Sequence, residues 1–187
     1  DAGVKDPKIS VIPNGVDTSV FFPDPDWCPG DTVEFAYPSR ILPGKGQHLA
    51  IDAVARLPRD LKKRASLHIV GANTDPVYLD QIRVQAYDQP VRFSVDVPGM
   101  VPHIQAADVV VFPSVMAEGF GLTAVEAMAC GKPVIWSDQP AIREATGGIG
   151  IPVPVGDVTA MRAAMRRLME NPEELMALGQ QGREYVE

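Results

Sequence analysis

Two carboxylates, Glu118 and Glu126, stand eight positions apart in AEGFGLTAVEAMACGKPV, residues 117–134, with Gly119, Gly121 and Thr123 between them. Glu118 precedes a glycine-punctuated turn, whereas Glu126 falls in LTAVEAMAC, a run of good helix formers closed by Gly131 and Pro133. One acid is therefore expected on a loop and the other early in a helix. The start of that helix offers unpaired amides and the positive end of a dipole, which suit a phosphate. A carboxylate repels a phosphate, so acids beside such a cradle make sense for a ligand that also brings hydroxyl donors, because an ionised carboxylate only accepts hydrogen bonds. A sugar nucleotide carries both kinds of group.

Cations come from a second loop. SRILPGKG places Arg40 and Lys45 five apart, with Gly44 and Gly46 flanking the lysine. Each charge alone reads as a solvated loop residue, and each acid alone as a helix-end or surface carboxylate. Together they describe four charges of complementary sign on glycine-bearing loops. Neither a G-x-G-x-x-G after the first strand nor a G-x-x-x-x-G-K-[ST] occurs, so the usual dinucleotide and P-loop fingerprints do not account for them.

The elements that must hold these loops alternate along the chain. Strands are expected at Ile9–Ile12, Val33–Tyr37, Leu67–Gly71, Val91–Val95, Asp108–Ser114 and PVIWS, with a short segment at 149–153. An Asn14-Gly15 turn follows the first of these, and a proline-rich linker runs on through Pro29. Helices are expected over GQHLAIDAVARL, near Tyr78–Tyr87, around Ile104, at LTAVEAMAC, and at Met161–Met169 and Glu173–Val186. Alternating strands and helices imply a single α/β domain with a Rossmann-like, doubly wound parallel sheet. Both charged loops follow strands, so they share the carboxyl rim of that sheet, where ligands bind in open parallel sheets.

The 187 residues suffice for one packed core, and 45% hydrophobic with 22% charged residues is ordinary for a globular protein. The net charge of −7 argues against a general nucleic-acid binder, and Arg59, Lys62, Lys63 and Arg64 read as a solvated helix end. Cys28 and Cys130, with His48, His68 and His103, form no spacing that holds a metal, so free thiols in the cytoplasm and no metal site are expected. No run is long and apolar enough to span a membrane, and no signal peptide is visible; the chain opens on Asp1 rather than Met and is expected to be an excised piece.

As a set, and in this order, VIPNGVDTSVFFP, SRILPGKG, PSVMAEGFGLTAVEAMACGKPVIWSD and GIGIPVPVGDVTAMRAAMRRLMENPEEL resemble the C-terminal, donor-binding half of a retaining glycosyltransferase of family four, a two-domain GT-B enzyme. The likeness covers nearly the whole chain. It implies that residues 1–187 form the nucleotide-sugar domain, with 1–30 as incoming linker, and that the N-terminal acceptor domain, with a histidine the family places near the sugar, is absent. Arg40 and Lys45 would then contact the donor diphosphate, and Glu118 would lie against the transferred sugar. Gly119, Phe120, Gly121, Leu122 and Thr123 would line the donor site, and Glu126 would bind the ribose hydroxyls. One departure stands out: FSVDVPG has Val95 where the family usually has a glycine near the base.

The resemblance further implies a UDP-, GDP- or ADP-sugar as substrate and no cofactor. The acceptor would be a sugar, lipid or small molecule reached through the absent domain, which would also make any contact with a membrane surface. Transfer of a hexose would need no metal, because Arg40, Lys45 and the helix end stabilise the departing diphosphate. Rival readings are a non-catalytic nucleotide-sugar sensor, a sugar-nucleotide epimerase or a phosphorylase with a lysine-bound pyridoxal group on the same scaffold, and a two-carboxylate glycosidase. The glycosidase fits poorly, because paired cations at a helix end suit a phosphate leaving group.

Overall fold

The computed structural model describes Ile12 and residues 14–187. Six strands, β1 (Val33–Pro38), β2 (Ala65–Gly71), β3 (Val91–Val95), β4 (Val109–Phe112), β5 (Val134–Ser137) and β6 (Ile151–Val153), form one sheet in the order β3-β2-β1-β4-β5-β6. Every pairing is parallel. The chain winds outward from β1 to β3, then returns to β4 on the other side of β1, and winds outward again. Helices flank the sheet, which is the doubly wound arrangement the alternation implies.

Burial explains the strand order. All residues of β4 and β5 are buried, as β-branched runs covered on both faces should be, whereas β3 at the edge is only half-buried. Each buried Val or Ile contributes about 1.5–3 kcal/mol relative to exposure, so the central strands are the firmest anchors for the loops that follow them. The helices are α1 (Gln47–Ala55), α2 (Arg59–Lys62), α3 (Pro76–Gln85), α4 (Val101–Gln105), α5 (Leu122–Ala129), α6 (Pro140–Ala145), α7 (Val158–Glu170) and α8 (Pro172–Val186). Helix α1 packs with α3 and α7, while α5 packs with α6 and α8. None of the helices is long and apolar enough to cross a membrane, among the described residues.

Several local expectations change. The proposed strand Ile9–Ile12 lies outside the described residues except for Ile12, which is in no strand. The turn expected at Asn14-Gly15 sits instead at Thr18–Val20, where Asp17 Oδ1 accepts the Ser19 amide at 2.9 Å. The short helices α2 and α6 carry too little periodicity to be read from sequence; α2 contains two of the four residues of the basic cluster, Arg59 and Lys62. Val95 is simply the last residue of β3, and the left-handed conformation that a glycine favours falls on Asp96, with φ +55°. A short polar side chain tolerates it, and Asp96 Oδ1 accepts the Asn73 amide at 2.9 Å.

The segment leading to β1 lies along the domain. Arg183 donates to Phe21 O at 3.1 Å, Gln105 to Phe22 O at 2.8 Å, and the Trp27 ring covers the Lys132 ammonium at 3.6 Å. Lys132 is 2% exposed, and burial brings its pKa down to about 8. Cys130, also buried, has its thiol pushed up to about 11 by the same cause, which leaves it unreactive.

A short 3₁₀ turn, Pro43–Lys45, ends at Gly46 in the left-handed conformation, φ +79°. A Cβ on Gly46 would stand 2.2 Å from Pro113 O, so the loop after β1 touches the loop after β4 only because no side chain intervenes. Gly46→Ala is expected to cost at least about 2 kcal/mol, from the unfavourable conformation and the backbone clash. Gly99→Ala, where a Cβ meets nothing within 4 Å, should stay within about 0.5 kcal/mol of the parent. Urea denaturation of the two variants checks the contrast, and equal losses would contradict it.

Candidate functional site

The order of the sheet makes β1 and β4 neighbours that begin the two halves of the winding, and their following loops meet at the carboxyl rim. The meeting is made by backbone. Val115 and Met116 each donate their amide to Gly44 O at 2.9 Å, and Ser114 Oγ reaches the same oxygen at 3.3 Å. From below, the buried Tyr37 hydroxyl donates to Lys45 O.

This seam brings Lys45 and Glu118 together. Lys45 Nζ lies 2.6 Å from Glu118 Oε1, and each side chain is 11% exposed, so the pair is largely desolvated and each charge needs the other. Ser114 Oγ donates to the same Glu118 oxygen. Glu118 Oε2 accepts from nothing among the described residues, which leaves one carboxylate oxygen for a donor from outside the protein. Phe112, the last residue of β4, sits beneath the ammonium, 5.5 Å from ring centroid to Nζ.

Past Glu118 the chain turns into α5. Gly121 supplies the left-handed N-cap at φ +102°, and no side chain caps the helix. This differs from α3 and α7, whose first turns are capped by Asp75 and Asp157. Among the described residues the amides of 119–123 donate to no protein acceptor. Orphan amides at a helix start hold an anion when one is present. They face a cleft of about 400 Å³ lined by Asn14, Lys45, Phe112 and residues 118–123.

Lys45, Glu118, Gly119, Phe120, Gly121, Leu122 and Thr123 thus share one cleft, whereas Arg40 and Glu126 do not line it. Arg40 is an exposed loop residue whose side chain makes no ion pair among the described residues, and its carbonyl accepts Gln47 Nε2 at 2.8 Å. Glu126 is half-buried in the second turn of α5, with a carboxylate that accepts no hydrogen bond among the described residues. Burial alone raises its pKa. The titratable side chains here form no cluster able to hold a metal, among the described residues.

Four further residues belong to the site. Asn14 and Phe112 line the cleft, Ser114 holds Glu118, and Gln139 on the loop after β5 binds the 114–118 segment. Phe112 and Ser114 stand at the end of a recognisable strand, where a site residue is expected, whereas Asn14 lies in a stretch that reads as linker. Gln139 carries no motif signal. A neighbouring cavity of about 350 Å³ shares Asn14 and Phe120 with the cleft and continues to Gly15, Val16, Glu144, Tyr185 and Val186.

Residues 28–185 match the family model for glycosyl transferases group 1. The chain is 31% identical to a D-inositol 3-phosphate glycosyltransferase of Kineococcus radiotolerans, covering 95% of this chain and 47% of that protein. It is 32% identical to the GDP-mannose-dependent alpha-(1-6)-phosphatidylinositol monomannoside mannosyltransferase of Mycolicibacterium smegmatis, covering 94% and 50%. The chain therefore spans about half the length of these relatives. Among solved structures, HepE of Anabaena in complex with UDP and glucose shares the fold, with a TM-score of 0.82 and 22% identity over 92% of this chain and 50% of that one.

Glu126 provides a test of the site's electrostatics. Burial favours its neutral form in the folded state, so the folded chain holds this proton more tightly than the unfolded one, and stability falls as pH rises from 4.5 through the folded pKa. Glu126→Gln should therefore stabilise the ligand-free chain at pH 7, with the gain vanishing below pH 4.5. Denaturation across that range checks it, and a gain independent of pH would contradict the assignment.

Proposed function

The chain belongs to the group 1 glycosyltransferases, and on that premise we propose that it is the donor-binding half of a metal-independent hexosyltransferase of family four. The enzyme moves a sugar from a nucleoside diphosphate to an acceptor with retention of configuration. The acceptor, a sugar, lipid or small molecule, is held by an N-terminal domain elsewhere in a longer cytoplasmic protein, and the 187 residues alone bind donor without transferring it. The observation that carries this reading is the cleft in which uncapped amides, an ammonium and a half-free carboxylate oxygen face one ligand space.

As the anomeric bond breaks, negative charge grows on the leaving diphosphate and positive charge on the sugar. The amides of 119–123 and Lys45 are fixed donors for the first, and they need no reorganisation at the moment of reaction. Glu118 Oε2 accepts from a sugar hydroxyl and lies where positive charge is favoured. Arg40, on the same loop as Lys45, supplies the second cation for the diphosphate, and Glu126 accepts from the ribose diol. A UDP-, GDP- or ADP-sugar satisfies all of these groups. The M. smegmatis relative is named for GDP-mannose, which argues for testing GDP-sugars alongside UDP-sugars.

Calorimetric titration of the chain with UDP, GDP and ADP and with their sugar esters tests the reading. Arg40→Ala and Lys45→Ala should each weaken diphosphate binding by about 1.5–3 kcal/mol, the range of a charge-assisted hydrogen bond, and weaken the bare nucleoside much less. Equal losses for nucleoside and diphosphate would show that these cations are not on the phosphates. Glu126→Ala should weaken the ribonucleotide and leave its 2′,3′-dideoxy analogue almost unaffected; equal effects would remove the ribose assignment.

A further inference from the structure

The loop after β5 holds Glu118 in place through one side chain. Gln139 Nε2 donates to Ser114 O at 2.8 Å and to Met116 O at 3.0 Å, and its Oε1 accepts the Glu118 amide at 3.1 Å. Two carbonyls require donors and one amide requires an acceptor, so a primary carboxamide in one orientation satisfies all three. No other uncharged side chain of this reach offers two donors and an acceptor together. Gln139 is itself fixed, because it is the extended N-cap residue of α6 and Pro140 follows it at the first helical position.

We infer that Gln139 is a positioning residue that sets the Glu118 carboxylate against the transferred sugar, an inference that rests on the donor-binding reading above. Its three bonds span the segment between the end of β4 and the turn into α5. Within that segment Ser114 Oγ and Lys45 both occupy Glu118 Oε1, so the direction left to Oε2 is decided by where the backbone of 114–118 is held. Gln139 makes no contact with the cleft of its own; it lines neither the cleft nor the neighbouring cavity. Its influence on a ligand therefore passes through Glu118, and that sets it apart from a residue that merely stabilises the fold.

The experiment compares the parent chain with Gln139→Leu, Gln139→Glu, Glu118→Ala and the Gln139→Leu/Glu118→Ala double variant. Each is titrated with UDP, UDP-glucose, GDP, GDP-mannose, ADP and ADP-glucose. The readout is the added affinity of the sugar ester over its diphosphate, for whichever pair the parent binds. Gln139→Glu keeps the size of the side chain but turns a second acceptor toward two carbonyls. Both single Gln139 variants should lose about tenfold of the sugar increment while diphosphate affinity changes less than about threefold, and Gln139→Leu should cost nothing further once Glu118 is Ala. Hydrogen exchange of the Val115, Met116 and Glu118 amides should quicken in both single variants, with β4 and α5 unchanged. An unaltered sugar increment, or a full additional loss in the Glu118→Ala background, overturns the inference and leaves the donor reading standing. A parent that binds none of the six compounds overturns the donor reading, and the role of Gln139 with it.

Discussion

The site depends on a seam of backbone. Gly44 O receives two amides from the loop after β4, and Gly46 lies against Pro113 O with no room for a side chain. These contacts join the first loop of one half of the winding to the first loop of the other. They exist because β1 and β4 are adjacent, an adjacency that the long return from β3 imposes on the chain. With the seam formed, the desolvated Lys45–Glu118 pair follows, since each side chain leaves a backbone already fixed against the other. Without it, two opposite charges on separate flexible loops would be an ordinary surface pair of little energy.

The arrangement also lets an acid sit beside the uncapped amides at the start of α5. Lys45 and Ser114 both engage Oε1 of Glu118, so the carboxylate next to the orphan amides is already half satisfied and its charge is matched. The net field over the cleft is then set largely by the amides and the helix dipole, which favour an anion. The cleft thus sets donors suited to negative charge beside a single acceptor oxygen suited to a hydroxyl. Paired polarity of this kind fits a ligand whose phosphate and sugar are neighbours.

Much of this was legible in the residues alone. The β-branched runs around Val109 and Val134 announced central buried strands, and the helix formers from Leu122 to Ala129 announced α5, because burial and periodicity are written locally. The common rim for Lys45 and Glu118 followed from parallel strands alternating with helices, whereas the order that makes β1 and β4 neighbours was not read from the sequence. What was not legible came from contacts at long separation. Nothing near Gln139 marks it, since its partners lie 21 to 25 positions away and its role depends on where a third loop lands. Asn14 is hidden for the same reason, in a segment that composition alone presents as linker. Glu126 and Arg40 carried the same charge signal as Glu118 and Lys45 but do not line the cleft, and no local pattern separates the two pairs.

The second cavity carries a mechanical consequence. Gly15 and Val16, near the start of the described chain, and Tyr185 and Val186, near its end, border the same space beside Phe120. A rigid body attached through two adjacent points turns about an axis passing close to both. Parts near such an axis sweep short arcs, and parts far from it sweep long ones. In any larger assembly joined through those two stretches, the turn carrying Phe120 and the free amides would act as the pivot, and α3 with the β3 edge would be the outer end of the lever. The ligand cradle would then hold its position most steadily while the far side of the domain travelled.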